Sequence, residues 1–274
     1  MASSQTKFET LRLERQGYVS VLTLDRPNRL NALNEQLTQE LGEALQLEAD
    51  QFPQVRVIIL TGAGRGFCSG ADVNRISQNL GQRQDSEEKD EYTEDPGPSP
   101  VMRLAPFIRQ IPQPIIAAIN GVAAGAGLAL ALACDIRVAS EEARFTSIFI
   151  KRSLVPDAGA SQTIAALAGP GIAAEMALTG RVYDALWALE NRIINRVVPH
   201  DDLLDHAKSL AEEIAANPPL AIRATKQLLN SHLPNLSQVI QTEHRANDPL
   251  RGTNDQQEAV EAFLEKREPK FSGS

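Results

Sequence analysis

The sequence predicts an α/β fold with a helical C-terminal region. Three observations support this. Buried-strand patterns alternate with helical ones through the first half of the chain. Two strand–loop–helix units, "VIILTGAGRGFCSGADV" and "IIAAINGVAAGAGLALAL", look alike: each ends a buried strand in glycines and starts a helix with small residues. From Ser161 onward the pattern is mostly helical.

Taken in order, "FETLRLERQGYVSVLTLD" alternates apolar and polar residues on each side of Gln16-Gly17, which predicts a hairpin. After "RPNRLNAL", Asn34 can cap a helix running to about Glu48. Its apolar stripe is Leu37, Leu41, Ala44, Leu45 and Leu47. "VRVIILTG" is a buried strand that ends in a glycine-rich loop. Residues Asn79–Pro100 are polar, acidic and rich in Pro and Gly, and predict a long surface loop. A short helix follows, then the buried strand "QPIIAAIN". "GVAAGAGLALALACD" predicts a small-residue turn entering an apolar helix, and "IRVAS" and "ARFTS" predict short strands. Seven helical segments, from "SQTIAALAG" to "QQEAVEAFLEKREP", complete the chain.

Composition narrows the function. The 274 residues are 42% hydrophobic and 23% charged, as in a globular protein with a sizeable core. A net charge of -8 gives no footprint for nucleic acid. The two cysteines, Cys68 and Cys134, do not make a disulfide framework, and the four histidines show no zinc spacing with them. No apolar run is long enough to span a bilayer, and "MASSQTKFETLRLERQ" lacks the apolar centre of a signal peptide. The expected setting is reducing and cytoplasmic, with no membrane partner.

The two glycine loops are the first candidate site. N–H groups exposed at a helix start attract negative charge, and small residues admit a ligand close to the backbone. Tight strand-to-helix packing with no ligand is the competing reading. A dinucleotide fingerprint fails because Leu130 stands at the third glycine position, and "TGAGRG" lacks the closing Gly-Lys-Ser/Thr of a phosphate loop. Ser69 is not in a GxSxG elbow, and Cys68 has no evident histidine partner. In "RSLVPDAGAS", Asp157 reads locally as a turn residue or as a cap on the helix that follows.

Four stretches in order, "RPNRLNAL", "GRGFCSGADV", "NGVAAGAGLALALACD" and "LVPDAGAS", resemble the crotonase superfamily, the enoyl-CoA hydratase/isomerase family. The resemblance runs from the N-terminal hairpin to "AFLEKR". It implies a crotonase-like spiral of ββα units over residues 1–200 and a helical oligomerisation region over 201–274, forming a homotrimer or a dimer of trimers. It implies an acyl-CoA thioester as ligand, with coenzyme A as part of the substrate and no further cofactor. The amides of Ala71 and Ala126 then form the oxyanion hole. Relatives often carry glycine at the position of Ala126, and alanine keeps the N–H.

The resemblance also places the two water-managing glutamates of a hydratase at Ala129 and Phe149, neither of which ionises. Glu141 and Glu142 fall upstream of the second position and read as a solvated turn. The Pro-Asp stretch is most similar to that of the ring-epoxide isomerases of phenylacetyl-CoA degradation, which implies that Asp157 is a proton shuttle. The reaction implied is a double-bond shift through an enolate. A hydratase with atypical acid and base, and a non-catalytic acyl-CoA-binding relative, are the alternatives. Phe149 would line the acyl pocket. Arg26, Arg29, Phe263 and Lys266 would meet the coenzyme, Asn74 stands where some relatives bind it with lysine, and Asp72 would fix its own loop. Trp187 reads as packing.

Overall fold

The computed structural model describes residues 8–72, 97–231 and 233–274. The hairpin forms where the alternation puts it: β1 (Leu11–Gln16) and β2 (Val19–Leu24) pair antiparallel around Gly17. The chain continues through α1 (Glu35–Asp50), β3 (Val57–Gly62), β4 (Gly66–Cys68), α2 (Pro100–Gln110), β5 (Ile115–Ile119), β6 (Val122–Ala124), α3 (Ala126–Ala133), β7 (Ile136–Ser140) and β8 (Arg144–Thr146). Beyond a 3-10 helix at Ile148–Arg152 come α4 (Ala160–Ala168), α5 (Pro170–Thr179), β9 (Tyr183–Asp184), α6 (Ala185–Glu190) and β10 (Arg196–Val198). Four helices close the described chain: α7 (Leu203–Ala215), α8 (Pro219–Ser231), α9 (Leu236–Asn247) and α10 (Asn254–Glu265).

The five longer strands and the short β10 form one sheet in the order β1-β2-β3-β5-β7-β10, in which β1 is the antiparallel edge. The other short strands form a second sheet, β4-β6-β8-β9. Each of β3, β5 and β7 therefore hands the chain to a short strand in the other sheet, and the second turn continues directly into α3. This is the ββα spiral. The short strands β4, β6, β9 and β10 are absent from the sequence reading, which takes the first two as loops. Two or three residues are too few for an alternating pattern to register.

Apolar runs in the parallel strands are continuous because both faces of the sheet are covered. Ile58 and Leu60 of β3 enter the core shared with α1, while Val57 and Ile59 face Leu203, Ala207 and Ala211 of α7. Asn34 caps α1, its Oδ1 accepting from Leu37 N at 2.9 Å. The stripe buries Leu37, Leu41, Ala44 and Leu45, but Leu47 is only half-buried. Its neighbour Glu48 is fully buried instead, because Arg15 of β1 meets its carboxylate at 2.5 Å. Helix α8 is tied to the sheet through buried Lys226, whose Nζ lies 2.8 Å from Asp135 Oδ2 and donates to Gln113 O at 2.9 Å. No helix among the described residues is long and apolar enough to cross a membrane.

Candidate active site

Pairing of β4 with β6 (Gly66 opposite Val122, Cys68 opposite Ala123) sets the two glycine loops side by side. The approach is close enough to exclude side chains. A Cβ on Gly127 would lie 2.1 Å from Cys68 O. Gly70 has φ +96°, and a Cβ there would lie 2.8 Å from Ala124 O and 3.5 Å from Ala126 N. The peptide entering Ala71 thus sits beside the first residue of α3. Ala126, at that helix start, has no intrahelical acceptor for its N–H. The Ala71 N–H likewise meets no acceptor among the described residues.

The first loop is held by its neighbours. Leu33 N donates to Gly70 O at 2.8 Å, and Asp72 N to Leu33 O at 3.1 Å. Arg26 bonds Asp72 Oδ2 at 3.1 Å and the carbonyl of Ala32. That guanidinium is therefore engaged in fixing the loop, and Asp72 has the structural role the sequence suggests. Arg29 is exposed at the end of the 3-10 turn Pro27–Arg29.

An apolar wall adjoins the second loop. A Cβ on Gly125 would lie 3.6 Å from Ile148 Cγ2 and 3.8 Å from the ring edge of Phe149, so this ring packs against the start of α3. Phe149 and Ala129, where the resemblance places the two glutamates of a hydratase, are both buried. Glu141 and Glu142 are exposed in the turn before β8, with Glu142 Oε2 3.6 Å from His200 Nδ1.

Asp157 follows the wall. The loop leaves the 3-10 helix with Leu154 N donating to Phe149 O at 3.1 Å, and it turns through the left-handed residues Ala158 (φ +53°) and Gly159 (φ +84°). The expected cap is not made: no side chain of the loop caps α4, and Asp157 contributes only its backbone oxygen, to Ala160 N. The reason is that Glu243 of α9 already occupies the helix start. Its carboxylate accepts from Gly159 N at 2.7 Å, from Ser161 N at 3.1 Å and from the Ser161 hydroxyl.

The Asp157 side chain is left for other work. The residue is half-buried, yet its Oδ1 is enclosed and has no hydrogen-bond partner among the described residues. Burial, and then the Glu243 charge, push its pKa up to about 7 from 3.8, with Arg251 opposing. Burial also raises Glu243, against the hydrogen bonds from Ser161 and Gly159 that favour its ionised form. Glu243 escaped the sequence reading. In "LSQVIQTEHRAN" it looks like any helix-surface acid, and its partners lie over 80 residues away.

Other candidates fall elsewhere. Phe263 and Lys266 are exposed at the end of α10, and the Arg152 guanidinium lies 3.9 Å over the Phe263 ring. Trp187 stacks on Tyr183 with ring centroids 3.8 Å apart, as packing requires. Cys68 and Cys134 are buried, and burial pushes both thiols up to about 12, which leaves them protonated. Asn74 and most of the acidic stretch, residues 79–96, lie outside the described residues.

The family model for enoyl-CoA hydratase/isomerase matches residues 14–274. The chain belongs to the enoyl-CoA hydratase/isomerase family. It is thus an acyl-CoA-processing enzyme with the crotonase fold. Among this family's members, the 1,2-epoxyphenylacetyl-CoA isomerase of Escherichia coli is 37% identical over 93% of this chain and 95% of its own length. The short-chain-enoyl-CoA hydratase of Clostridium acetobutylicum is 34% identical over 93% of this chain and 94% of its own. The crystal structure of an enoyl-CoA hydratase from Mycobacterium avium subsp. paratuberculosis superposes with a TM-score of 0.83 at 30% identity, covering 97% of this chain and all of the other.

Proposed function

We propose that this enzyme is an enoyl-CoA isomerase in which Asp157 shuttles one proton. The enclosed, unpartnered Asp157 Oδ1 is the observation that supports this most. The thioester oxygen would accept from the N–H groups of Ala71 and Ala126. The Asp157 carboxylate would take a proton from the acyl chain, and the electron pair of that C–H bond would move onto the thioester oxygen as a dienolate. Two fixed donors stabilise the charge as it develops. The protonated carboxyl then returns the proton at another carbon, the electrons flow back, and the double bond has moved. Nothing is added or lost, so no second acid, metal or cofactor is needed; coenzyme A is part of the substrate.

The apolar side chain of Phe149 and the small Ala129 favour this over hydration, because activating a water calls for groups that exchange protons. Similarity to the Escherichia coli isomerase points the same way. Hydration is the second reading, favoured by the similarity to the Clostridium acetobutylicum hydratase. For the coenzyme we assign Arg29, Phe263 and Lys266, which are exposed, and give Arg26 the task of holding the Ala71 loop. Assembly as a homotrimer or dimer of trimers would cover Leu178, Val182 and Leu186, all more than 60% exposed. Two unpaired, buried cysteines suit a reducing cytoplasm.

The decisive experiment compares a 3-enoyl-CoA with crotonyl-CoA, following the conjugated thioester absorbance. Appearance of conjugation with the first substrate, and its retention with the second, supports isomerisation. Loss of crotonyl-CoA absorbance at a comparable rate supports hydration. If a broad panel of acyl-CoAs binds and none turns over, the chain is a binding protein.

A further inference from the structure

Helix α9 grips the Asp157 loop on both sides. Ahead of the acid, Asn247 Oδ1 accepts from Val155 N at 2.9 Å and Asn247 Nδ2 donates to Val155 O at 3.4 Å. Behind it, Glu243 accepts from Gly159 N, Ser161 N and the Ser161 hydroxyl. Glu243 and Asn247 are one helical turn apart, on one face. A third residue of α9, Leu236, packs so closely on Gly159 that a Cβ there would lie 2.9 Å from Leu236 Cδ2. Each of the three is only 4% exposed.

Two features make this more than loop anchoring. Ala158 is held in the left-handed region, which is strained for a residue with a Cβ, so the loop conformation depends on outside contacts. The cap on α4 is also an acid, although a neutral serine or asparagine would satisfy the same N–H groups. An acid there puts a like charge beside Asp157, an unfavourable pairing for stability alone.

We propose that Glu243 and Asn247 are positioning residues that clamp the Asp157 loop over the site, with Glu243 supplying a second negative charge beside the acid. This rests on the reading of Asp157 as the proton shuttle. The charged groups facing Asp157 are Glu243 and, after α9, Arg251, which is joined to His244 at 3.2 Å. From the 3-10 helix, Arg152 is engaged with the Phe263 ring and Lys151 is exposed. Ser161 of α4 is neutral. Glu243 therefore opposes ionisation of Asp157 and Arg251 favours it. With Glu243 neutralised, Asp157 ionises at lower pH.

The test measures pH–rate profiles and melting temperatures for the parent, Asp157→Asn, Glu243→Gln and Asn247→Ala. Glu243→Gln should move the acidic limb of kcat/KM down by about half a pH unit or more. Asn247→Ala removes no charge. It should lower kcat on the order of ten-fold, with KM within about two-fold and the limb in place. An unmoved limb in folded Glu243→Gln overturns the proposal, as does parental kcat in Asn247→Ala; if Glu243→Gln does not fold, Asn247→Ala alone decides. Full turnover by Asp157→Asn would instead sink the shuttle reading, a result separable from both.

Discussion

In the proposed isomerisation the chemistry turns on Asp157, and its environment gives two predictions. With a pKa near 7, the carboxylate that starts the reaction is depleted below neutrality, so the isomerisation rate should climb through about pH 7 and level above it. Asp157→Asn should lose about a hundred-fold or more in rate while still binding acyl-CoA, checked by calorimetry against turnover. The same group affects stability. Its pKa in the folded chain lies above the ordinary 3.8, so between those values the native state holds a proton that the unfolded state releases. Its contribution therefore falls as pH rises from about 4 to 7. Asp157→Asn should melt higher than the parent at about pH 8.5, with the gap narrowing toward pH 5, as thermal scans would show. That Asp157 mattered was legible in the sequence only through its register with the two glycine loops. The enclosure of its carboxyl was not legible, because Glu243 and Arg251 reach it from 86 and 94 residues further along.

At the scale of elements, locally determined features were read well. The hairpin and α1 follow from alternation and from one capping asparagine. Asn34→Ala should cost about 1 kcal/mol in urea unfolding and leave the site chemistry alone. Features made by long-range pairing were not legible. Strands β4 and β6 are three residues each and exist because they pair across the second sheet. Burial of Glu48 depends on Arg15, one element away. The contact of β4 with the start of α3 is where the site is most easily broken. Gly127→Ala drives a methyl group into Cys68 O, and should cost about 1–3 kcal/mol or more and most of the activity together. Unfolding midpoints and turnover measured on one preparation would show both losses.

For the whole molecule, the C-terminal helices do more than extend the chain: α7 covers the outer face of the sheet, α9 clamps the acid loop, and α8 is pinned by Lys226. Lys226→Met would remove the ion-pair partner of Asp135, at a cost of about 3 kcal/mol in unfolding free energy. Replacing Leu186, 64% exposed, with glutamate should lower the mass seen by light scattering if that face is an assembly surface. One further consequence lies in the two cysteines. Both native thiols are sealed in the core and held protonated, so alkylating reagents should pass them by at neutral pH. A single cysteine introduced at an exposed position would then take a dye alone, and the native chain is already a silent background for fluorescence.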